Sequence, residues 1–134
     1  MKQSAFIFLL ACCAAVFAFC SPKPQEKGGA PEFGKVVVFA TLQEWLNDTE
    51  TQTIVIDLRR DDEIVSGMIP GARHIPVANL EARINEIPKN ARIVLYCSSG
   101  NRVKTALPVF EANGYTLVYS FVTISNWKGP LEYP

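Results

Sequence analysis

Apolar runs and short amphipathic segments alternate along the chain from Lys35 onwards. TIVIDLR (53–59) and RIVLYC (92–97) are apolar without alternation, as in strands that are covered on both faces. KVVVF (35–39) and YTLVYS (115–120) are two further strand candidates. Between the strands, LQEWLND, LEARINEI and VKTALPVFEANG place their apolar residues on one side of a helix. This order predicts an α/β fold, a small parallel sheet flanked by helices on both faces.

Local signals predict where the helices begin and end. Thr41 followed by Glu44 has the spacing of a capping box for the first helix. Asn79 is a candidate N-cap for the second helix, and Gly114 is a stop signal for the third. Pro108 lies inside the third helix, where it removes a backbone hydrogen bond, so a kink or a split is expected there.

The first twenty residues differ from the rest of the chain. After Lys2, an uncharged apolar run extends from Ala5 to Phe19, which is shorter than the roughly 20 residues that a spanning helix needs. We therefore predict a signal segment at 1–20, a flexible Pro/Gly-rich linker at 21–34 and the folded domain at 35–134.

Three fates of this N-terminus are compatible with the residues. Cys20 has the position of a lipid-acceptor cysteine, although the large Phe19 before it is unfavourable for lipoprotein processing. Cleavage after Ala18 would release a soluble protein, and an uncleaved segment would remain as an anchor. All three export the domain to the periplasm or cell envelope, the first with attachment to the membrane through a lipid.

The charge balance excludes one class of partner. The 13 Lys and Arg residues equal the 13 Asp and Glu residues, so the chain lacks the basic surplus that is typical of nucleic-acid binding.

Cys97 is the only cysteine outside the N-terminal segment, since the other three are Cys12, Cys13 and Cys20. It therefore has no intramolecular partner in a compartment that oxidises thiols. It also ends a predicted parallel strand and precedes a helix, and ligands of open α/β sheets bind at the carboxyl ends of the strands. These two features favour a reactive thiol over an inert buried one.

The loop after Cys97 suits an anionic sulfur. If Ser98, Ser99, Gly100 and Asn101 curl between strand and helix, their N–H groups and the positive end of the helix can stabilise a thiolate. Arg102 can hold the anionic end of a substrate with its planar guanidinium. We predict Cys97 as the nucleophile and residues 98–102 as the substrate-binding loop.

These motifs resemble the single-domain rhodaneses, a family of sulfurtransferases. The resemblance extends over about residues 35–130 and rests on several motifs in order: Cys97-x-x-Gly100-x-Arg102, Asp57-Leu58-Arg59 with Glu63, Gly67-Met68-Ile69-Pro70-Gly71-Ala72, Ile75-Pro76 and Gly114-Tyr115. In length and signal region, the chain looks most similar to small exported sulfurtransferases of the phage-shock type.

The resemblance implies a reaction and its partners. The Cys97 thiolate would take the outer sulfur of a small anionic donor such as thiosulfate and become a persulfide. Cyanide, or a thiol such as that of a thioredoxin-like protein, would then accept the sulfur. This is covalent catalysis in two half-reactions and needs neither a metal nor an organic cofactor. The alternative is a non-catalytic rhodanese-like module that binds a partner or senses sulfur anions.

The chain departs from related patterns in informative ways. Cell-cycle phosphatases of the same architecture resemble rhodaneses but have a longer loop between Cys and Arg, which disfavours phosphatase activity here. Rhodaneses usually carry Gly-Gly shortly before the late tryptophan, and Val122-Thr123 stand in its place. Asp57 and Arg59 are interpreted as a structural ion-pair network, and His74 as a surface residue rather than a catalytic base.

Overall fold

Residues 33–134 are described by a computed structural model. The predicted signal segment, Cys20 and most of the predicted linker lie outside these residues. Phe33 and Gly34, at the end of that linker, already contact the domain: Phe33 packs against the core and the Gly34 amide donates to the Val118 carbonyl at 2.8 Å.

The predicted parallel sheet is confirmed. Its five strands have the order β1-β5-β4-β2-β3, and every neighbouring pair is parallel. The strands are β1 Lys35–Val36, β2 Thr53–Asp57, β3 Arg73–His74, β4 Arg92–Cys97 and β5 Val118–Thr123. The central strand β2 pairs along its whole length with residues 92–96 of β4, as expected for strands that are buried on both faces.

Helices cover both faces of the sheet, as predicted. The α-helices are α1 Phe39–Asn47, α2 Leu80–Arg83 and α3 Asn101–Ala112, and short 3₁₀ turns lie at Ile64–Ser66, Val77–Asn79, Ile84–Glu86 and Ile124–Asn126. In β4, Ile93, Leu95 and Cys97 belong to the core beneath α2 and α3. Val94 and Tyr96 belong to the core beneath α1. No helix within residues 33–134 is long and apolar enough to cross a membrane.

Neither predicted N-cap residue makes a side-chain cap. Helix α1 begins at Phe39, before Thr41, and has no side-chain cap. The Leu42 amide donates to the Val38 carbonyl at 3.0 Å, and the Phe39 ring packs edge-on against Trp127, so tertiary packing starts the helix earlier. Asn79 does occupy the N-cap position directly before α2, but it also ends a 3₁₀ turn with helical backbone angles and makes no side-chain cap.

Two further predictions need correction. Helix α3 continues through Pro108 without a break, so the proline does not split it; it ends before Asn113 and Gly114, as predicted. Strand β5 extends to Thr123, beyond the predicted end at Ser120. The extension matters for function, because it carries the chain past the Cys97 loop.

Candidate active site

Cys97 lies where the sequence predicts it, at the carboxyl end of β4 and directly before the loop that enters α3. Its side chain is fully buried, with 0% of the residue exposed. The amide of Gly100 donates a hydrogen bond to Sγ at 3.0 Å. Within residues 33–134, no other amide donates to the sulfur. The sequence predicts several N–H donors from the loop, and the structure has one of them in place.

The loop depends on glycine at position 100. Gly100 has φ +85°, a left-handed conformation that side chains adopt at a cost. A β-carbon at this position would lie 2.9 Å from Cγ1 of Val122, closer than ordinary van der Waals contact. Both the backbone conformation and the nearby Val122 therefore require glycine here. Ser98, Ser99 and Asn101 are exposed around it, at the mouth of the loop.

The second contact of the sulfur comes from β5. The Cys97 thiol is 3.8 Å from the carbonyl oxygen of Val122, a long hydrogen bond in which sulfur is the donor. The sulfur thus lies between an N–H donor on its own loop and a carbonyl acceptor on the neighbouring strand.

Arg102 lies on the first turn of α3, and its guanidinium is directed at Glu63. Nη1 of Arg102 is 2.8 Å from Oε2 of Glu63, and both side chains are about three-quarters buried, with 24% and 21% exposed. The N–H geometry is poor, so Nη1 is buried without a well-formed hydrogen bond to any residue in 33–134. The charge of Glu63 thus holds the Arg102 guanidinium in place.

Glu63 also belongs to the site, although the predicted substrate-binding residues do not include it and it enters the sequence prediction only through the motif with Asp57 and Arg59. Its carboxylate also accepts a hydrogen bond from the Arg60 amide at 3.0 Å. That hydrogen bond, together with the Arg102 guanidinium, lowers the pKa of Glu63 although partial burial opposes the change. The adjacency of β2 and β4 in a parallel sheet could have indicated that the loop after β2 reaches the loop after Cys97.

Asp57 and Arg59 form the structural network that the sequence predicts. Their ion pair is 2.6 Å long and almost fully buried. Arg59 also donates to the carbonyl oxygens of Glu63 and Gly67, at 3.3 and 2.7 Å. The pair therefore fixes the 63–67 segment, including the backbone of the glutamate that contacts Arg102.

Other candidate residues take packing roles. His74 Nε2 lies 2.8 Å from the Arg59 carbonyl, and its contacts are with the β2 loop rather than with the Cys97 loop. Trp127 packs against Phe39 and Phe121. Tyr96, the residue before Cys97, faces away from the loop into the other core, where burial and the nearby Asp57 carboxylate raise its pKa.

The protein-family model described as "Rhodanese-like domain" matches residues 38–127 of the sequence. Together with a parallel α/β sheet that carries a cysteine loop at its strand ends, this match identifies the class of protein. The chain belongs to the rhodanese-like domain family.

Known proteins resemble the chain over much of this domain. A sulfurtransferase of Allochromatium vinosum is 39% identical over 75 residues, which are 56% of this chain and 69% of that protein. The thiosulfate sulfurtransferase of Pseudomonas fluorescens is 28% identical over 71 residues, 53% of this chain and 65% of that protein. The crystal structure of a rhodanese-like domain protein from Staphylococcus aureus has a TM-score of 0.62 at 27% identity and covers 75% of this chain and 98% of that one.

The matched segments span from 46% to 91% of the curated relatives' own lengths. The similarity places the chain in the rhodanese-like family and does not extend to the narrower phage-shock type.

Proposed function

We propose that the protein is a sulfurtransferase that moves a sulfane sulfur from a donor such as thiosulfate to a thiol or to cyanide through a Cys97 persulfide. The observation that carries the proposal is the 3.0 Å hydrogen bond from the Gly100 amide to Sγ, on a loop that also bears Arg102. An N–H donor at this distance favours a sulfur that carries negative charge, both before and after it takes up a second sulfur.

In the first half-reaction, the Cys97 thiolate attacks the outer sulfur of thiosulfate. A sulfur–sulfur bond forms to Cys97, the bond inside the donor breaks, and sulfite leaves with the electron pair. In the second half-reaction, an acceptor nucleophile attacks the outer sulfur of the persulfide and regenerates the thiolate. The Arg102 guanidinium would orient the sulfonate end of the incoming anion.

Mass spectrometry of the Cys97 peptide tests the persulfide directly. Incubation with thiosulfate should add one sulfur atom to this peptide, and subsequent cyanide should remove it and yield thiocyanate. Cys97→Ser should abolish both steps without unfolding the domain, because the hydroxyl is nearly isosteric and cannot form a persulfide. Thiocyanate formation by this variant at the wild-type rate would place the chemistry elsewhere.

A second function, a non-catalytic module that binds a partner or senses sulfur anions, is favoured by one observation. Cys97 is fully buried, and a protein that only holds a partner has no need to expose it. The same experiment separates the two functions, because a binding module would neither gain the sulfur atom nor turn over thiosulfate with cyanide.

We also propose that the domain is exported to the periplasm or cell envelope, with Cys20 as the lipid-acceptor residue. The support is the uncharged run from Ala5 to Phe19 and the tether that follows. Fractionation of cells that make the full chain, with mass analysis of the mature N-terminus, distinguishes the three fates. A protein in the cytosol that still begins at Met1 would contradict export.

A further inference from the structure

Val122 has an unusual backbone conformation next to the candidate active site. Within residues 33–134 it is the only non-glycine residue with a positive φ, at 67°. A β-branched residue in this region is a genuine outlier. The conformation accompanies a bulge, because Leu95 pairs with Ser120 while the next residue, Tyr96, pairs with Val122. Bulges beside active sites commonly redirect a side chain.

The bulge brings Val122 against the Cys97 loop in two ways. Its carbonyl oxygen lies 3.8 Å from Sγ. Its Cγ1 lies 2.9 Å from the position that a β-carbon on Gly100 would occupy, and the Gly100 amide is the group that binds the sulfur. Val122 is half-buried, whereas Cys97 beneath the loop is fully buried. The Val122 side chain therefore packs against the loop residue whose amide binds the reactive sulfur, and its backbone contacts the sulfur itself.

We propose that Val122 is a specificity-determining residue, whose γ-methyl groups restrict the Cys97 sulfur to slender donors such as thiosulfate. Donors that carry a bulky group next to the transferable sulfur are excluded. This inference rests on the proposed sulfur transfer. With a thiosulfonate donor, Cys97 would take the outer sulfur and release a sulfinate with the electron pair. Benzenethiosulfonate has a wider leaving group than thiosulfate and carries one negative charge fewer, and this charge difference is the same for every variant compared.

Access to the sulfur can be measured without turnover, as the alkylation rate of the Cys97 peptide by small iodoacetamide and by bulky N-phenylmaleimide. Val122→Ala removes the γ-methyl groups. The ratio of the N-phenylmaleimide rate to the iodoacetamide rate should therefore rise roughly ten- to a hundredfold, which is the usual effect of one methylene group in a pocket. Val122→Thr keeps the branched shape and should retain the wild-type ratio. Val38→Gly, at an exposed valine before α1, is a matched control that should also leave the ratio unchanged.

Turnover then tests the donor itself. Val122→Ala should raise kcat/KM for benzenethiosulfonate relative to thiosulfate by the same order. Val122→Gly separates bulk from backbone strain, because it removes the methyl groups and also allows positive φ. If the alkylation ratio changes in Val122→Gly but stays at the wild-type value in Val122→Ala, backbone strain at position 122 controls access to the sulfur and the proposal is overturned.

An unchanged ratio in both Val122→Ala and Val122→Gly would also overturn the proposal, as would an equal rise in Val38→Gly. If the ratio rises as expected but wild-type protein forms no persulfide with thiosulfate, Val122 still controls access to Cys97 and it is the proposed sulfur transfer that fails.

Discussion

Replacing Gly100 by alanine should destabilise the domain more than the same replacement at Gly71 or Gly114, two other glycines with positive φ. The left-handed conformation alone costs about 1–2 kcal/mol with a side chain, offset by about 0.4–1 kcal/mol from the reduced freedom of the unfolded chain. At Gly100 the new β-carbon would also lie 2.9 Å from Cγ1 of Val122, and overpacking typically costs about 1–3 kcal/mol. Together these terms give an expected loss of about 1–5 kcal/mol in the free energy of unfolding.

Two glycines in the same chain provide matched controls. Gly71 and Gly114 have φ of +73° and +76°, and a β-carbon at either would meet nothing within 4 Å. Alanine at these positions should cost only the conformational part, on the order of 1 kcal/mol. Urea denaturation followed by circular dichroism measures all three variants on one scale.

A double-mutant cycle identifies the contact. Val122→Ala removes the atom that a β-carbon at position 100 would meet, so it should recover the overpacking part of the Gly100→Ala loss, about 1–3 kcal/mol. The conformational part should remain. Equal losses in Gly100→Ala and Gly71→Ala, or strictly additive effects of Gly100→Ala and Val122→Ala, would refute the close packing of Val122 on the loop.

Three further predictions concern the charged residues. Asp57→Ala should lower the free energy of unfolding by about 3–5 kcal/mol in urea denaturation, because Arg59 is left as a buried charge without its partner; a loss below about 1 kcal/mol would contradict a buried pair. Arg102→Ala should lower kcat/KM for thiosulfate roughly ten- to a hundredfold, as expected for losing a charge-assisted hydrogen bond of about 1.5–3 kcal/mol. Arg102→Lys should recover only part of that activity. In single-turnover experiments, Arg102→Ala should slow the loading of sulfur from thiosulfate more than the discharge of a preformed persulfide. Equal slowing of loading and discharge, together with a lower Tm, would instead show that Arg102 only fixes the loop to Glu63. Because the pKa of Glu63 is lowered in the folded protein, its contribution to stability is present above its ordinary pKa of 4.5 and is lost as the pH falls through the lower folded value. Melting curves from pH 6 to pH 2 should therefore show a smaller acid-induced fall in Tm for Glu63→Gln than for the wild type, and identical falls would show that Glu63 does not contribute.

Sequence patterns predicted the parts of the structure that depend on strongly periodic or uniform segments. TIVID and RIVLYC could be assigned to buried parallel strands from composition alone, and the position of Cys97 at a strand end followed from that assignment. The start of α1 could not be predicted, because the contact of Phe39 with Trp127 joins residues that are distant in the sequence. Long-range packing overrode the local capping signal at Thr41.

The details of the site depend equally on distant parts of the chain. The ion pair between Arg102 and Glu63 joins two loops, and only the adjacency of β2 and β4 brings them together. Position 122 departs from the usual rhodanese pattern, because a valine takes the place of a glycine there. The strained backbone of Val122, however, results from the register shift between β4 and β5. Local propensity alone would exclude valine from such a conformation.

The strand order has a consequence for how the chain is made. In the described sheet, β1 pairs only with β5, with Lys35 opposite Tyr119. These residues are 84 positions apart (119 − 35), so a ribosome adding about 5–20 residues per second takes on the order of 4–17 s to supply the partner of the first strand. Throughout that interval the described sheet cannot be completed, so the domain can finish folding only after nearly all of its residues have been synthesised.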